Sequence, residues 1–215
     1  MKDYQKKEIK YYIFANLLLL LYLVEFDLSM ISINEIILRM INFGVISGFI
    51  GVLIFIVDSL FSSEFKTSLL YLWGNLPGCT VFSEIRKGDY DDIRFLKDDA
   101  LKLYKDIYDN MPISKEELEK YENSCWYRIY NCYRDKEIVR MSNRDYLFCR
   151  DVFTTTLINL IVYVICLFAL CLEFSRMYIL YLIVMLVVTN ISARIKAKKL
   201  IYHVIAIDIH TRIKL

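Results

Sequence analysis

Four apolar stretches, set as two pairs around a charged middle, constrain this chain more than anything else in it. They cover residues 9–24, 36–57, 152–172 and 177–191. A helix needs ~20 residues, with a range of ~17–25, to cross the hydrocarbon core of a bilayer. The pattern therefore predicts an all-α, polytopic membrane protein of four transmembrane helices, with a helical cytoplasmic domain inserted between the second and third. The expected divisions are an N-terminal hairpin (1–58), the inserted domain (59–151), a C-terminal hairpin (152–193) and a basic tail (194–215).

The distribution of charge orients these spans. The chain is nearly balanced, with 27 Lys and Arg against 25 Asp and Glu, so the net charge says little and the placement says more. Lys2, Lys6, Lys7 and Lys10 precede the first span, and Arg194, Lys196, Lys198 and Lys199 follow the last. The first hairpin tip carries Glu25, Asp27 and Glu35, with no base before Arg39. Basic loops stay on the cytoplasmic side. Both termini and the middle region are thus expected in the cytoplasm of a bacterial inner membrane, with two short tips outside. The alternative for the N-terminus is a signal peptide, but Glu25-Phe26-Asp27 stands where small residues at a cleavage site would be needed.

Within the spans, small and polar residues mark two features. Gly44, Ser47, Gly48 and Gly51 put a small-residue face on the second span, suited to close helix packing within one protomer or between copies in a homo-oligomer. Asn16 and Asn159 lie at depth and want a partner, either across a helix interface or in a polar lumen formed by several copies. Thr154, Thr155 and Thr156 can bond their own backbone carbonyls.

The inserted region reads as helices. Residues 59–72 read as an inward amphipathic extension of the second span, closed by Trp73-Gly74, with Pro77-Gly78 as a turn. Residues 79–85 read as a short strand or irregular loop. Residues 91–110 read as one amphipathic helix with an apolar face of Ile93, Leu96, Ala100, Leu103, Tyr104 and Ile107. Ser114 and Glu117 form a capping box for a helix running to about Arg140. Ser142-Asn143-Arg144-Asp145 is a second capping signature, for a helix that continues into the third span. If both inner spans continue into the cytoplasmic domain, they act either as coupling rods or as a rigid stalk. The tail, 201–215, fits a short strand or a surface helix.

Little here points to chemistry. No P-loop, G-x-S-x-G or H-E-x-x-H motif is present, and the only histidines, His203 and His210, lie in the tail. The cysteine spacing matches no common zinc pattern, and cytosolic thiols stay reduced. The acids Asp89, Asp91, Asp92, Asp98 and Asp99 fit the first turn of a helix better than a metal site. The sequence implies no catalytic residue, cofactor or metal. Trp126, Tyr127, Arg128, Tyr130 and Arg134 form a basic, aromatic surface suited to a soluble protein partner. The interleaved acids favour local pairing over direct nucleic-acid binding. Arg144 and Arg150, with Arg194, Lys196, Lys198 and Lys199, are expected at lipid headgroups.

In size, topology and cytoplasmic insert the chain resembles the small four-span membrane subunits of bacterial antiphage defence systems, among them pore-forming effectors and the membrane subunit of the Kiwa system. Leu76-Pro77-Gly78-Cys79, Trp126-Tyr127-Arg128 and Arg150-Asp151 are the stretches where such a family would keep a signature. The resemblance implies a non-enzymatic membrane sensor or scaffold that recruits a soluble cytoplasmic partner. The alternatives are a pore that depolarises the cell and a membrane enzyme acting on a lipid.

Overall fold

The computed structural model describes residues 2–24, 33–72, 74–90, 92–169 and 175–213. Glu25 and Asp27 of the first tip, Trp73, Asp91, Cys171 and most of the second tip lie outside the described residues, as does the side chain of Ser47. All regular structure among the described residues is helical. In chain order the helices are α1 (Lys2–Val24), α2 (Ile33–Leu60), α3 (Ser63–Leu70), α4 (Val81–Lys87), α5 (Lys97–Leu103), α6 (Lys105–Asp109), α7 (Lys115–Tyr133), α8 (Glu137–Ala169) and α9 (Arg176–Ile213). A 3-10 turn, Pro77–Cys79, precedes α4.

By length and composition, α8 and α9 can each cross a membrane, and the bent pair of α2 and α3 raises the number to three. The chain divides into two compact units: Met1–Leu70 with Phe148–Ala193, and Tyr71–Leu147 with Arg194–Leu215. Residues 137–147 of α8 belong to the second unit and 148–169 to the first; α9 divides at 193 and 194.

In the first unit, α1 packs on α2 where Gly51 leaves room. A Cβ there would stand 2.9 Å from Leu17 Cδ1 and 3.7 Å from Ile13 Cγ2. Ile9, Ile13, Ile50, Ile54 and Ile158 bury against one another at this seam. Ser175 starts α9 by accepting the Tyr178 amide on Oγ at 3.3 Å.

The inward extension of α2 does not run straight on. The helix stops at Leu60 and restarts at Ser63, bent by 97°. Serines explain the break without any Gly or Pro. Ser59 turns its hydroxyl back onto the Ile56 carbonyl at 2.7 Å, which competes with helix continuation. Ser62 then caps the new helix, accepting the Phe65 amide at 3.1 Å.

The second unit corrects several local readings. Residues 79–85 are neither strand nor loop: Val81–Lys87 is helical, ending at Gly88 in the left-handed region at φ 88°. The single helix expected over 91–110 starts only at Lys97 and breaks at Tyr104. Ile93 and Leu96, assigned to its buried face, are exposed. Ser114 precedes α7 but makes no side-chain cap bond. That helix ends at Tyr133 rather than near Arg140, and α8 begins at Glu137, so Ser142 sits inside a helix and caps nothing. The tail is helical, the end of α9. Its Val204, Ile205 and Ile209 are fully buried in the core of the unit, beside Phe82, Ile85 and Ala100.

Candidate functional site: a buried charge cluster at a helix break

The break between α2 and α3 is where the first unit buries charge among the described residues. Asp58, two residues before the end of α2, accepts from Lys66 Nζ at 2.7 Å. Lys66 comes from α3 and lies 3.9 Å from Asp151 of α8. Asp151 accepts from its neighbour Arg150 through Nε at 3.0 Å and Nη2 at 2.7 Å. Arg150 Nη1 reaches the Ser63 hydroxyl at 2.6 Å and the Ser63 carbonyl at 3.3 Å. Thr155 adds a contact to Asp58, its hydroxyl 3.5 Å from Asp58 Oδ1. The side chains of Lys66, Asp58, Arg150 and Asp151 are only 8%, 13%, 7% and 14% exposed.

Two acids and two bases make the cluster neutral, and every charge has an opposite neighbour. A buried ion is tolerated only when paired and hydrogen-bonded, and removing one partner strands the other. The cluster therefore fixes a geometry: it holds α3 against α8 and sets the bend. Nothing in it resembles a nucleophile with its base. Its chemical capacity is electrostatic, a latch between three helices.

Sequence reasoning missed most of this cluster. Asp58 read as the end of a span, and Lys66 as part of an amphipathic extension. Arg150, expected at lipid headgroups, is instead enclosed by Asp151, Ser63 and Thr67, because a guanidinium so near an apolar bundle finds its acceptors inside it. The available signal was that four charges, Asp58, Lys66, Arg150 and Asp151, flank apolar runs on both sides of the insert.

Polar residues deeper in the unit are turned inward. Asn159 donates to the Tyr178 hydroxyl at 2.9 Å, so it joins α8 to α9. Asn16 donates to the Tyr12 carbonyl of its own helix at 2.7 Å, and its Oδ1 is buried without a partner among the described residues. Tyr12 and Thr156 share a hydrogen bond of 2.7 Å between α1 and α8. Of the small-residue face, Gly51 is the glycine that meets another helix among the described residues. Gly44 and Gly48 are exposed, and a Cβ added at either would have no described atom within 4 Å.

The second unit has its own buried carboxylates. Glu122 of α7 is fully buried and accepts the Phe82 amide at 2.8 Å, the Ser83 amide at 3.1 Å and the Ser83 hydroxyl. It caps α4 from another helix, since Thr80 gives no side-chain cap of its own. Burial pushes the Glu122 carboxyl above the usual range, against the pull of those hydrogen bonds. Asp208 of α9, also fully buried, accepts from Tyr104 Oη at 2.8 Å and Arg212 Nε at 2.9 Å. Burial, and then the Asp208 carboxylate, push the Tyr104 hydroxyl upward, which keeps it a donor. Ser142 meets His203 Nδ1 at 2.5 Å in the interior, but among the described residues no acid bonds the other ring nitrogen to complete a triad.

The expected partner surface is split between core and exterior. Trp126 and Tyr130 stack with ring centroids 5.2 Å apart and pack against the core, whereas Tyr127, Arg128 and Arg134 are exposed. Arg128 also donates to Cys125 Sγ at 3.3 Å. The basic run on α9 is largely engaged inside the unit. Arg194 lies over the Tyr71 ring, Lys196 pairs with Asp145 at 2.9 Å, and Lys198 pairs with Glu84 at 3.6 Å. Lys199 and Arg144 are exposed and open to an outside anion. The expected acidic cluster resolves into an Asp92–Arg94 clamp, with Asp98 and Asp99 in the first turn of α5.

No protein-family model matches this chain, and neither a curated protein nor a solved structure does.

Proposed function

We propose that this chain is an integral membrane protein of four spans. In this reading both termini and the helical region between the second and third spans are cytoplasmic. The protein acts as a sensor or scaffold that recruits a soluble partner, rather than as an enzyme.

The observation that carries the reading is the inverted surface of the first unit. Phe14, Phe49, Ile161, Phe168, Ile183 and Val187 point outward, while Asp58, Lys66, Arg150 and Asp151 lie inside. Water would reverse that arrangement; lipid favours it. Helix length adds support. At ~1.5 Å per residue, α8 with 33 residues and α9 with 38 measure about 50 and 57 Å. A hydrocarbon core takes up only ~30 Å. The remaining length of each helix belongs to the second unit, so a partner bound there has two continuous helices through which to act on the membrane unit.

The antiphage setting comes from the resemblance in size and topology. Within it, a sensor is favoured over a pore because Asn159 is engaged by Tyr178 inside one protomer and is not free to line a lumen. Membrane potential, followed by a voltage-sensitive dye in bacteria expressing the chain alone and with its neighbouring gene, tests this choice. An intact potential in both supports the sensor, and depolarisation supports the pore. Orientation is tested at Cys132, which is exposed on α7. In a chain carrying Cys171→Ser, a membrane-impermeant maleimide should label Cys132 only after lysis, and labelling in intact cells would reverse the topology.

Self-association belongs to the same proposal. Gly48 is exposed and a side chain there has room within the protomer. Gly48→Leu is therefore expected to leave the protomer folded and to weaken the oligomer in native mass measurements. An unchanged oligomer rules out this face as the contact.

A further inference from the structure

We propose that α3 is an interfacial helix, lying in the plane of the membrane at its charged end with Phe65 and Leu69 set into the boundary between headgroups and acyl chains. The inference rests on the membrane reading above and goes beyond it, because a helix that follows a span can equally continue into the cytoplasm or dip back into the bilayer.

Three observations point to the interface. The first is direction. α3 is bent 97° from the end of α2, so if α2 crosses the bilayer, α3 runs nearly parallel to its surface. The second is depth. Charge marks one end of the first unit: Lys10 of α1 lies 5.4 Å over the Phe55 ring of α2, and Asp58, Arg150 and Asp151 cluster one turn farther along. α3 leaves α2 at that level. Its ends are also held there, since Arg150 binds Ser63 at the start and Asn190 Nδ2 donates to the Leu70 carbonyl at 3.3 Å at the finish.

The third is the surface of the helix itself, which has three sides. Residues four apart share one strip of a helix. Lys66 and Leu70 form the buried strip against the protein. Glu64 and Ser68 form an exposed polar strip. Phe65, 48% exposed, and the half-buried Leu69 form an apolar strip between them. Phe61 extends it, its ring centroid 4.7 Å from that of Phe65, and the exposed Leu60 continues it onto the outer surface of α2. A helix in contact with protein, water and lipid at once needs such a division. Helices of this kind sink their apolar face ~5–10 Å into the headgroup and acyl boundary. The occupant of the strip is therefore lipid, continuous with the lipid around α2.

The full chain reconstituted in phospholipid vesicles tests this by tryptophan quenching. Phe65→Trp places the probe on the apolar strip and Ser68→Trp on the polar strip. Val184→Trp sits at the middle of the apolar run of α9, on its exposed side. Each signal is read as the difference from the parent, which keeps Trp73 and Trp126. Lipids brominated near the headgroup should reduce Phe65→Trp fluorescence most. Those brominated near the chain end should reduce Val184→Trp most, and aqueous iodide should reduce Ser68→Trp. If Phe65→Trp fails to fold, Leu69→Trp carries the same reading. Loss at Phe65→Trp chiefly from deep bromines would make α3 re-entrant and overturn the inference. No lipid quenching there, with Val184→Trp still quenched, would overturn it and leave the membrane reading standing. No lipid quenching of Val184→Trp would remove the membrane reading itself.

Discussion

The two units of this chain bury charge in different ways. The first encloses a cluster of four charges, Asp58, Lys66, Arg150 and Asp151, while large apolar side chains such as Phe49 and Phe168 stay exposed. The second buries single carboxylates, Glu122 and Asp208, within a larger apolar core. Phe82, Ile85, Val139, Val204 and Ile205 fill its interior, while Arg128, Arg134, Lys136 and Arg140 stay outside. Under the proposed membrane reading, one chain with one set of side chains is partitioned for two solvents. If lipid surrounds the first unit, as proposed, specificity of packing there rests on polar contacts, because apolar side chains gain little by leaving lipid for protein. In the second, burial of apolar surface supplies the driving force.

The sharpest way to break this contrast is to strand a charge in the first unit. Lys66→Met leaves Asp58 without its ammonium partner. Removal of one member of a buried pair costs about 3–5 kcal/mol, so this variant should show the largest loss of thermal stability in detergent. Replacing both partners, as Asp58→Leu with Lys66→Met, removes the stranded charge and should recover much of the loss. A double variant as unstable as the single would mean that the pair does not act as a unit, and the latch between α2, α3 and α8 would fall.

The matching test in the second unit removes apolar volume. Ile205 is fully buried on α9, beside Val204 and Ile209. Ile205→Ala should cost about 2–5 kcal/mol through lost transfer energy and a cavity. Hydrogen exchange should place that loss in 71–147 and 194–213, with the amides of α1 and α2 little changed. Equal loosening in both units would show that they do not have separate cores.

What could be read from the sequence follows the same division. Helix content was legible over most of the chain, though not at 79–85 or in the tail, because apolar runs and 3.6-residue spacing are local signals. The tail was ambiguous because it is buried almost all round. Ile205, Ile207 and Ile209 mimic a strand's alternation, and a helix enclosed on every side loses the polar face that would reveal its period. The break at 61–62 was hidden because serines made it, and their hydroxyls decide between continuing and capping only once the rest of the bundle is in place. The charge cluster was invisible for a related reason. Asp58 and Lys66 are close in sequence, but Arg150 and Asp151 arrive from more than eighty residues away, and no periodicity encodes that meeting. The caps failed in the same way. Ser114 and Ser142 have the right residue type, yet Ser142 is drawn to His203, while the cap of α4 comes from Glu122, forty residues on from Phe82.

Glu122 gives the smallest expected effect and tests whether the second unit, too, holds its architecture through a buried charge. Its carboxyl is raised above the ordinary value of 4.5, with burial the main cause. A raised acid binds its proton more tightly folded than unfolded. Its ionised form is therefore disfavoured by folding, and stability falls as pH rises from about 4.5 through the folded pKa, then levels. Glu122→Gln keeps an acceptor for the Phe82 and Ser83 amides but cannot ionise. The variant should lose about 1–3 kcal/mol at low pH, where an unpaired amide donor replaces the carboxyl's hydrogen. The difference from the parent should shrink as pH rises, since only the parent acquires the ionisation penalty. Thermal stability of both proteins measured across pH 4–8 checks this. A difference that stays constant would show that the α4 cap is insensitive to the charge of Glu122.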